Sequence, residues 1–345
     1  MNYYSPITEL DYLTKDTARY PFRAETRDEA VKWQQAARQA LAEIVGFVDD
    51  SEPVTPEAKV LDEMDRGDYV LRKIELTTSP AAKMPVYILQ PKTDSPLPAV
   101  LAYHGHGPGV RMFVGLDEDG NLLDGDPDYH KLFAVELCKR GFVVAAPEIA
   151  CFGERQEIHS GLGEGRQAPT TCHQAATYAI MLGKSVLGMR VRDSMRLADY
   201  LKTLPEIDAN RVGAMGISGG GMLAFFHAAL DWRIKAVVLS GYFGNFRDNI
   251  LALHHCTCNF IPGLLQIGEM EDLVGLLAPR PLLVEAGERD PIFPIESVRA
   301  CYQRTQEIYK VFGTDPRDKL QLDAFPGGHE ISGRVSYDFL ARHLA

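Results

Sequence analysis

Ser218, Asp290 and His329 are the residues of this chain whose types and settings could together make a nucleophile. A serine hydroxyl attacks little at neutral pH unless a base takes its proton. The base in turn needs a third group to orient it and to stabilise the imidazolium it becomes. Ser218 stands in Gly216-Ile217-Ser218-Gly219-Gly220, between the apolar run 211–215 and a helical stretch over 222–230. A sharp strand–turn–helix bend there lifts the hydroxyl out of the sheet, and the flanking glycines leave room for neighbouring backbone. The base candidate, His329, lies in Phe325-Pro326-Gly327-Gly328-His329-Glu330, a glycine-rich loop after a strand-like run. The acid candidate, Asp290, lies in Gly287-Glu288-Arg289-Asp290-Pro291, with Glu288 as its rival. A tetrahedral oxyanion also needs two inward N–H groups. The residue after the serine, Gly219, offers one; the other is expected from the main chain of His106 in His104-Gly105-His106-Gly107.

These side chains need a scaffold that delivers loops from far apart to one edge. The hydrophobic pattern supplies one. Residues 69–76 and 84–89 read as an antiparallel opening pair. Strands then follow at 98–103, 142–146, 212–216, 234–240, 281–286 and 320–325, with helices at 131–139, 189–201, 295–311 and 331–344. Alternating units of this length imply a mostly parallel sheet covered by helices on both faces, whose sites lie at the carboxyl ends of the strands. An amphipathic helix over 28–47, with Val31, Trp33, Ala37, Leu41, Ile44 and Val45 toward the core, places 1–58 as a helical extension packed on a catalytic domain of 59–345. Three long segments, 109–130, 151–187 and 242–277, interrupt the alternation and are expected to cap the pocket. His104, Glu148, Ile217, Tyr242 and Phe293 are the side chains expected to line it.

The bulk composition narrows the partners. The chain has 345 residues, 46% of them hydrophobic, enough for a large core. The net charge of −11, with no Lys/Arg-rich cluster, argues against nucleic acid or an anionic membrane as partner. Residues 1–6 carry neither a basic nor an apolar signal-like run, and six scattered cysteines suit free thiols, so a cytoplasmic protein is expected.

Ser218, Asp290 and His329 occur in the chain order of the α/β-hydrolases. The chain resembles that superfamily over roughly residues 60–345, and within it the branch of acetyl-xylan-esterase-like and dienelactone-hydrolase-like proteins. The resemblance rests on Tyr103-His104-Gly105-His106-Gly107, on Asp208-Ala209-Asn210-Arg211-Val212-Gly213, on Leu277-Ala278-Pro279-Arg280-Pro281-Leu282-Leu283 and on Cys256-Thr257-Cys258-Asn259-Phe260-Ile261-Pro262-Gly263. It implies the α/β-hydrolase fold and a serine esterase acting through an acyl-enzyme on a small to medium acyl ester, with acetyl esters among the candidates. Two departures bear on substrate: dienelactone hydrolases use a cysteine where this chain has Ser218, and sugar deacetylases carry glutamine where it has Gly219. A peptidase or amidase with the same triad, and a binding protein on a hydrolase scaffold, are the alternatives. Complete triad candidates weigh against the second of these.

The esterase chemistry needs a small-molecule ester and neither a metal nor an organic cofactor. His254-His255-Cys256-Thr257-Cys258 raises a metal reading, but adjacent histidines do not share a helical face and no second cluster has zinc spacing, so a structural or pocket-lining role is expected. Glu148 and Gly153-Glu154-Arg155 could border the site or form a loop ion pair. Arg190, Arg192, Asp193, Arg196 and Asp199, at helical spacing, read as a solvated charged face.

Overall fold

A computed structural model describes residues 4–14, 17–48, 54–93, 95–117, 119–123, 128–157 and 170–345. Its sheet has nine strands: β1 (Ala58–Asp65), β2 (Tyr69–Ser79), β3 (Ala82–Pro91), β4 (Leu97–Tyr103), β5 (Val143–Pro147), β6 (Ile207–Ile217), β7 (Ile234–Ser240), β8 (Leu282–Gly287) and β9 (Leu320–Phe325). Their spatial order is β1-β2-β3-β5-β4-β6-β7-β8-β9. The first three strands and the β3–β5 pair are antiparallel, and every other pair is parallel.

The chain runs from β4 outward to β5 and then returns to β6 on the other side of β4. Reversal of strand order opens a crevice at the carboxyl ends of β4 and β6, where open α/β sheets place their sites. The register makes this concrete: Tyr103, the last residue of β4, is paired with Gly216, two residues before Ser218.

Side chains alternate between two cores, as the period of a strand requires. Leu101 and Tyr103 face one core and Val100 and Ala102 the other. Six of the helices, in chain order, are α1 (Pro6–Leu13), α2 (Arg27–Val45), α3 (Phe133–Lys139), α4 (Cys172–Met181), α5 (Val186–Leu201) and α6 (Gly219–Leu230); later ones include Ile295–Val311 and Ser336–Leu344. The core on the Tyr103 side draws on α2, α5 and α6, and the opposite core on α3 and the helix Ser336–Leu344.

Three sequence expectations are corrected. β1 was absent from the reading because its residues include Lys59, Asp62, Glu63 and Asp65 and show no buried face; it is a charged edge strand, held by its ladder to β2 and by ion pairs such as Arg72–Glu63 at 2.7 Å. In α2, Val31 is exposed, whereas Gln34 is buried and donates to the carbonyls of Gly275 and Ala278 at 2.6 Å each. Arg190, Arg192 and Asp193 are buried rather than solvated. α5 packs on α2, α4, α6 and β2, which leaves little of it facing water, and the charges pair internally, Asp193 with Arg155 at 2.8 Å and with Arg192 at 3.0 Å.

Close approach of α6 to β4 fixes the loop that carries Ser218. A Cβ at Gly220 would collide with the carbonyl oxygens of Tyr103 and His104, both backbone atoms that cannot swing away. Gly220→Ala is therefore expected to cost about 2–3 kcal/mol as overpacking, read as a fall of several degrees in Tm. An unchanged Tm would mean that α6 and β4 are less tightly apposed.

At the far end of α6 lies a buried chain of polar groups. Tyr103 Oη donates to His227 Nδ1 at 2.9 Å, and His227 Nε2 donates to Asp231 Oδ2 at 3.2 Å. Burial alone would raise the Asp231 carboxyl, but hydrogen bonds from His227 and Arg233 outweigh it and hold it well below the usual carboxylate range. A depressed carboxylate contributes stability above its unfolded pKa, near 4, and loses it as pH falls toward the folded value. Wild type should thus exceed Asp231→Asn in Tm at about pH 6, and the gap should narrow as the pH is lowered through about 4 toward 3. A gap independent of pH would contradict this account.

Candidate active site

β6 ends at Ile217, and the next residue turns with φ 56° and ψ −121°, a conformation rare for a residue with a side chain. Ser218 is held there from both sides: its N–H donates to the Ser240 carbonyl and its own carbonyl accepts from Met222 N–H, each at 2.9 Å. Backbone strain of this kind persists only where surrounding structure over-determines it, and it is common at reactive side chains. α6 begins at Gly219, so the unpaired N–H groups of its first turn and the positive end of its dipole lie beside the serine.

Asp290 follows β8 in a tight turn. Its Oδ1 accepts from the N–H groups of Ile292 at 2.8 Å and Phe293 at 3.2 Å. The other oxygen, Oδ2, accepts from His329 Nδ1 at 2.7 Å. The rival Glu288 is turned to solvent and pairs with Arg299 at 3.3 Å. Because His329 donates from Nδ1, its Nε2 carries the lone pair. That atom is buried and has no hydrogen-bond partner among the described residues. The ring stacks with both Tyr129 and Phe293, with centroids 5.9 and 6.0 Å away.

Ser218, Gly219, His106 and His329 share one cavity of about 310 Å³ with Tyr129, Tyr242, Leu253, His254, His255, Cys256, Asn259, Ile292 and Phe293. Of the side chains expected to line the pocket, Tyr242 and Phe293 do so. His104, Glu148 and Ile217 are buried and do not reach its surface. His104 and Glu148 instead brace the loop after β4: Glu148 Oε1 accepts from Val110 N–H at 3.1 Å and lies 3.2 Å from His104 Nε2, which accepts from Ile149 N–H at 3.1 Å. The His106 imidazole is driven down to about 4, first by burial and then by the nearby Arg190 guanidinium, so it is neutral at physiological pH.

Sequence reasoning missed Asp128-Tyr129-His130. Gly105 N–H donates to His130 Nε2 at 2.9 Å, which fixes the His130 proton on Nδ1, where it is given to Asp128 Oδ2 at 2.8 Å. Tyr129 Oη donates to the His106 carbonyl at 2.6 Å while its ring stacks on His329. One short segment therefore touches both the loop after β4 and the imidazole. Its only signal was its place in the Asp/Gly-rich stretch 109–130, which carries no periodicity.

Residues 8–313 match the model of the abhydrolase family. The chain belongs to that family. This abhydrolase is 28% identical over 300 residues to the "Putative hydrolase YtaP" of Bacillus subtilis, an alignment covering 85% of this chain and 92% of that protein. Among solved structures it is similar to a "putative acetyl xylan esterase" from Bacteroides fragilis, with a TM-score of 0.75, 21% identity and coverage of 94% of this chain and 83% of that one. A glucuronoyl esterase from Solibacter usitatus matches with a TM-score of 0.65 and 16% identity over 91% of this chain and 93% of its own. Identities this low establish the shared α/β-hydrolase fold. No helix among the described residues of this abhydrolase is long and apolar enough to cross a membrane.

Proposed function

We propose that this abhydrolase is a serine esterase. Ser218 Oγ attacks the acyl carbonyl as His329 Nε2 takes its proton. Asp290 orients the imidazole and stabilises its charged form. The amides of Gly219 and His106 receive the oxyanion. The alcohol then leaves with the proton from His329, and water, activated by the same imidazole, hydrolyses the acyl-enzyme. The observation that carries the reading is the 2.7 Å contact of His329 Nδ1 with Asp290, which turns an unpartnered Nε2 inward beside a cavity that Ser218 also lines.

Esters are favoured over amides because structural neighbours named for acetyl xylan and glucuronoyl ester hydrolysis share this fold over nearly the whole chain. A cavity of about 310 Å³ is at the small end of ligand pockets, and its Tyr242, Ile292 and Phe293 walls suit a short apolar acyl group, acetyl first. The partner is thus a small-molecule ester, with acetylated sugars within the class. A panel of aryl acetate, butyrate and octanoate esters with an aryl acetamide tests this. We expect kcat/KM to be highest for acetate and to fall by about tenfold or more at octanoate, as a pocket of fixed size rejects added methylenes. Faster turnover of the acetamide than of the acetate would favour an amidase instead.

A further inference from the structure

Behind the cavity wall formed by His106 and Cys256, three thiols converge on one imidazole. His106 Nε2 and the Sγ atoms of Cys172, Cys256 and Cys258 all lie within 4.8 Å of one another. Cys258 Sγ is 3.4 Å from both His106 Nε2 and Cys256 Sγ. A tetrahedral zinc ion with bonds of about 2.3 Å to sulfur and 2.0 Å to nitrogen holds its ligand atoms roughly 3.5–3.8 Å apart, so small movements would complete the set. We propose that His106, Cys172, Cys256 and Cys258 bind one zinc ion. Along the sequence, His254-His255-Cys256-Thr257-Cys258 has adjacent histidines that do not share a helical face and no second cluster at zinc spacing. The missing ligands come singly, one from the loop after β4 and one from the first residue of α4.

An independent observation points to negative charge at this spot. Arg190 is buried, 2% exposed, and no carboxylate pairs with it among the described residues. Its Nη2 donates to Cys172 Sγ at 3.1 Å and to the Ala150 carbonyl at 2.9 Å, and its guanidinium lies over the Phe152 ring. A guanidinium does not deprotonate in a protein, and burying it without a counter-charge is costly. Zinc with three thiolates and one neutral imidazole carries a net charge of −1, which Arg190 balances. Thr170 Oγ1 also donates to Cys172 Sγ, at 2.8 Å, so that sulfur has the outer hydrogen bonds typical of a metal-bound thiolate.

Four protein ligands leave no open position, which makes this a structural ion. It would tie the loop after β4 to the start of α4 and to the turn Thr257–Asn259. The Nδ1 and Cε1 edge of His106 faces Gly219, where an added Cβ would come within 2.9 and 2.8 Å of it, so ligation through Nε2 fixes the His106 loop against the nucleophile turn. That consequence for the oxyanion amide rests on the esterase reading, but the binding of the ion does not.

The test is metal content of the full chain, purified reduced and without chelator. About one zinc per chain is expected in wild type and in Ser218→Ala. Cys172→Ser and Cys258→Ser should retain about tenfold less or lower still, and Cys138→Ser, on the other side of the sheet, should match wild type. Cobalt titrated into metal-stripped wild type should give thiolate-to-metal charge-transfer absorption and the intense visible bands of a tetrahedral site, a readout that needs no variant. Reduced, folded wild type that takes up neither zinc nor cobalt at neutral pH, or native protein whose cysteines prove to be joined as disulfides, would overturn the proposal.

Discussion

Ser218→Ala should lower kcat on an aryl acetate by about 10⁴- to 10⁶-fold, with KM changed little. In the proposed mechanism Oγ makes and breaks the acyl bond, so its loss would remove the covalent route and leave only what the oxyanion amides and substrate positioning contribute. The fold should survive. Ser218 is held by its backbone, through Ser240 and Met222, and among the described residues no hydrogen bond from its hydroxyl shapes the turn. A Tm at or slightly above that of wild type, together with the collapse in kcat, would place the effect in the chemistry. A loss of only tenfold would mean that another group attacks.

Asp290→Asn should lower kcat by about 10³- to 10⁴-fold, and its geometry gives the reason. Oδ1 is committed to the N–H groups of Ile292 and Phe293. An amide in the same place keeps its oxygen on those donors and turns its NH₂ toward His329 Nδ1. The imidazole then presents a lone pair at Nδ1 and carries its proton on Nε2, where it cannot accept one from the serine. The shape of the side chain is nearly unchanged, so Tm should shift little while kcat falls. Comparable losses of activity and stability would instead assign Asp290 a packing role.

The parts of this account legible in the sequence are those written locally. A buried strand followed by Gly216-Ile217-Ser218-Gly219-Gly220 and an apolar helix specifies its own turn, because close backbone packing demands glycine at position 220. The parallel strands were legible as short apolar runs, buried on both faces. What could not be read depends on neighbours remote in the chain. β1 carries four charged residues and no buried face, and is a strand because β2 offers it a ladder. The charges of α5 looked solvated because helical spacing says which residues share a face and nothing about what covers that face. Tyr129 was missed because its part comes from stacking on His329, some two hundred residues later. The same limit hid the cluster of His106, Cys172, Cys256 and Cys258, whose four side chains come from three segments.

The most direct test of the central claim is reaction of the intact protein with a fluorophosphonate, a reagent that modifies a serine only when an adjacent base activates it. Mass spectrometry should show one phosphonyl adduct per chain, mapped to the peptide that carries Ser218, and none on Ser218→Ala. Wild type that stays unmodified, or an equal adduct on Ser218→Ala, would contradict the proposal that Asp290, His329 and Ser218 act as one relay.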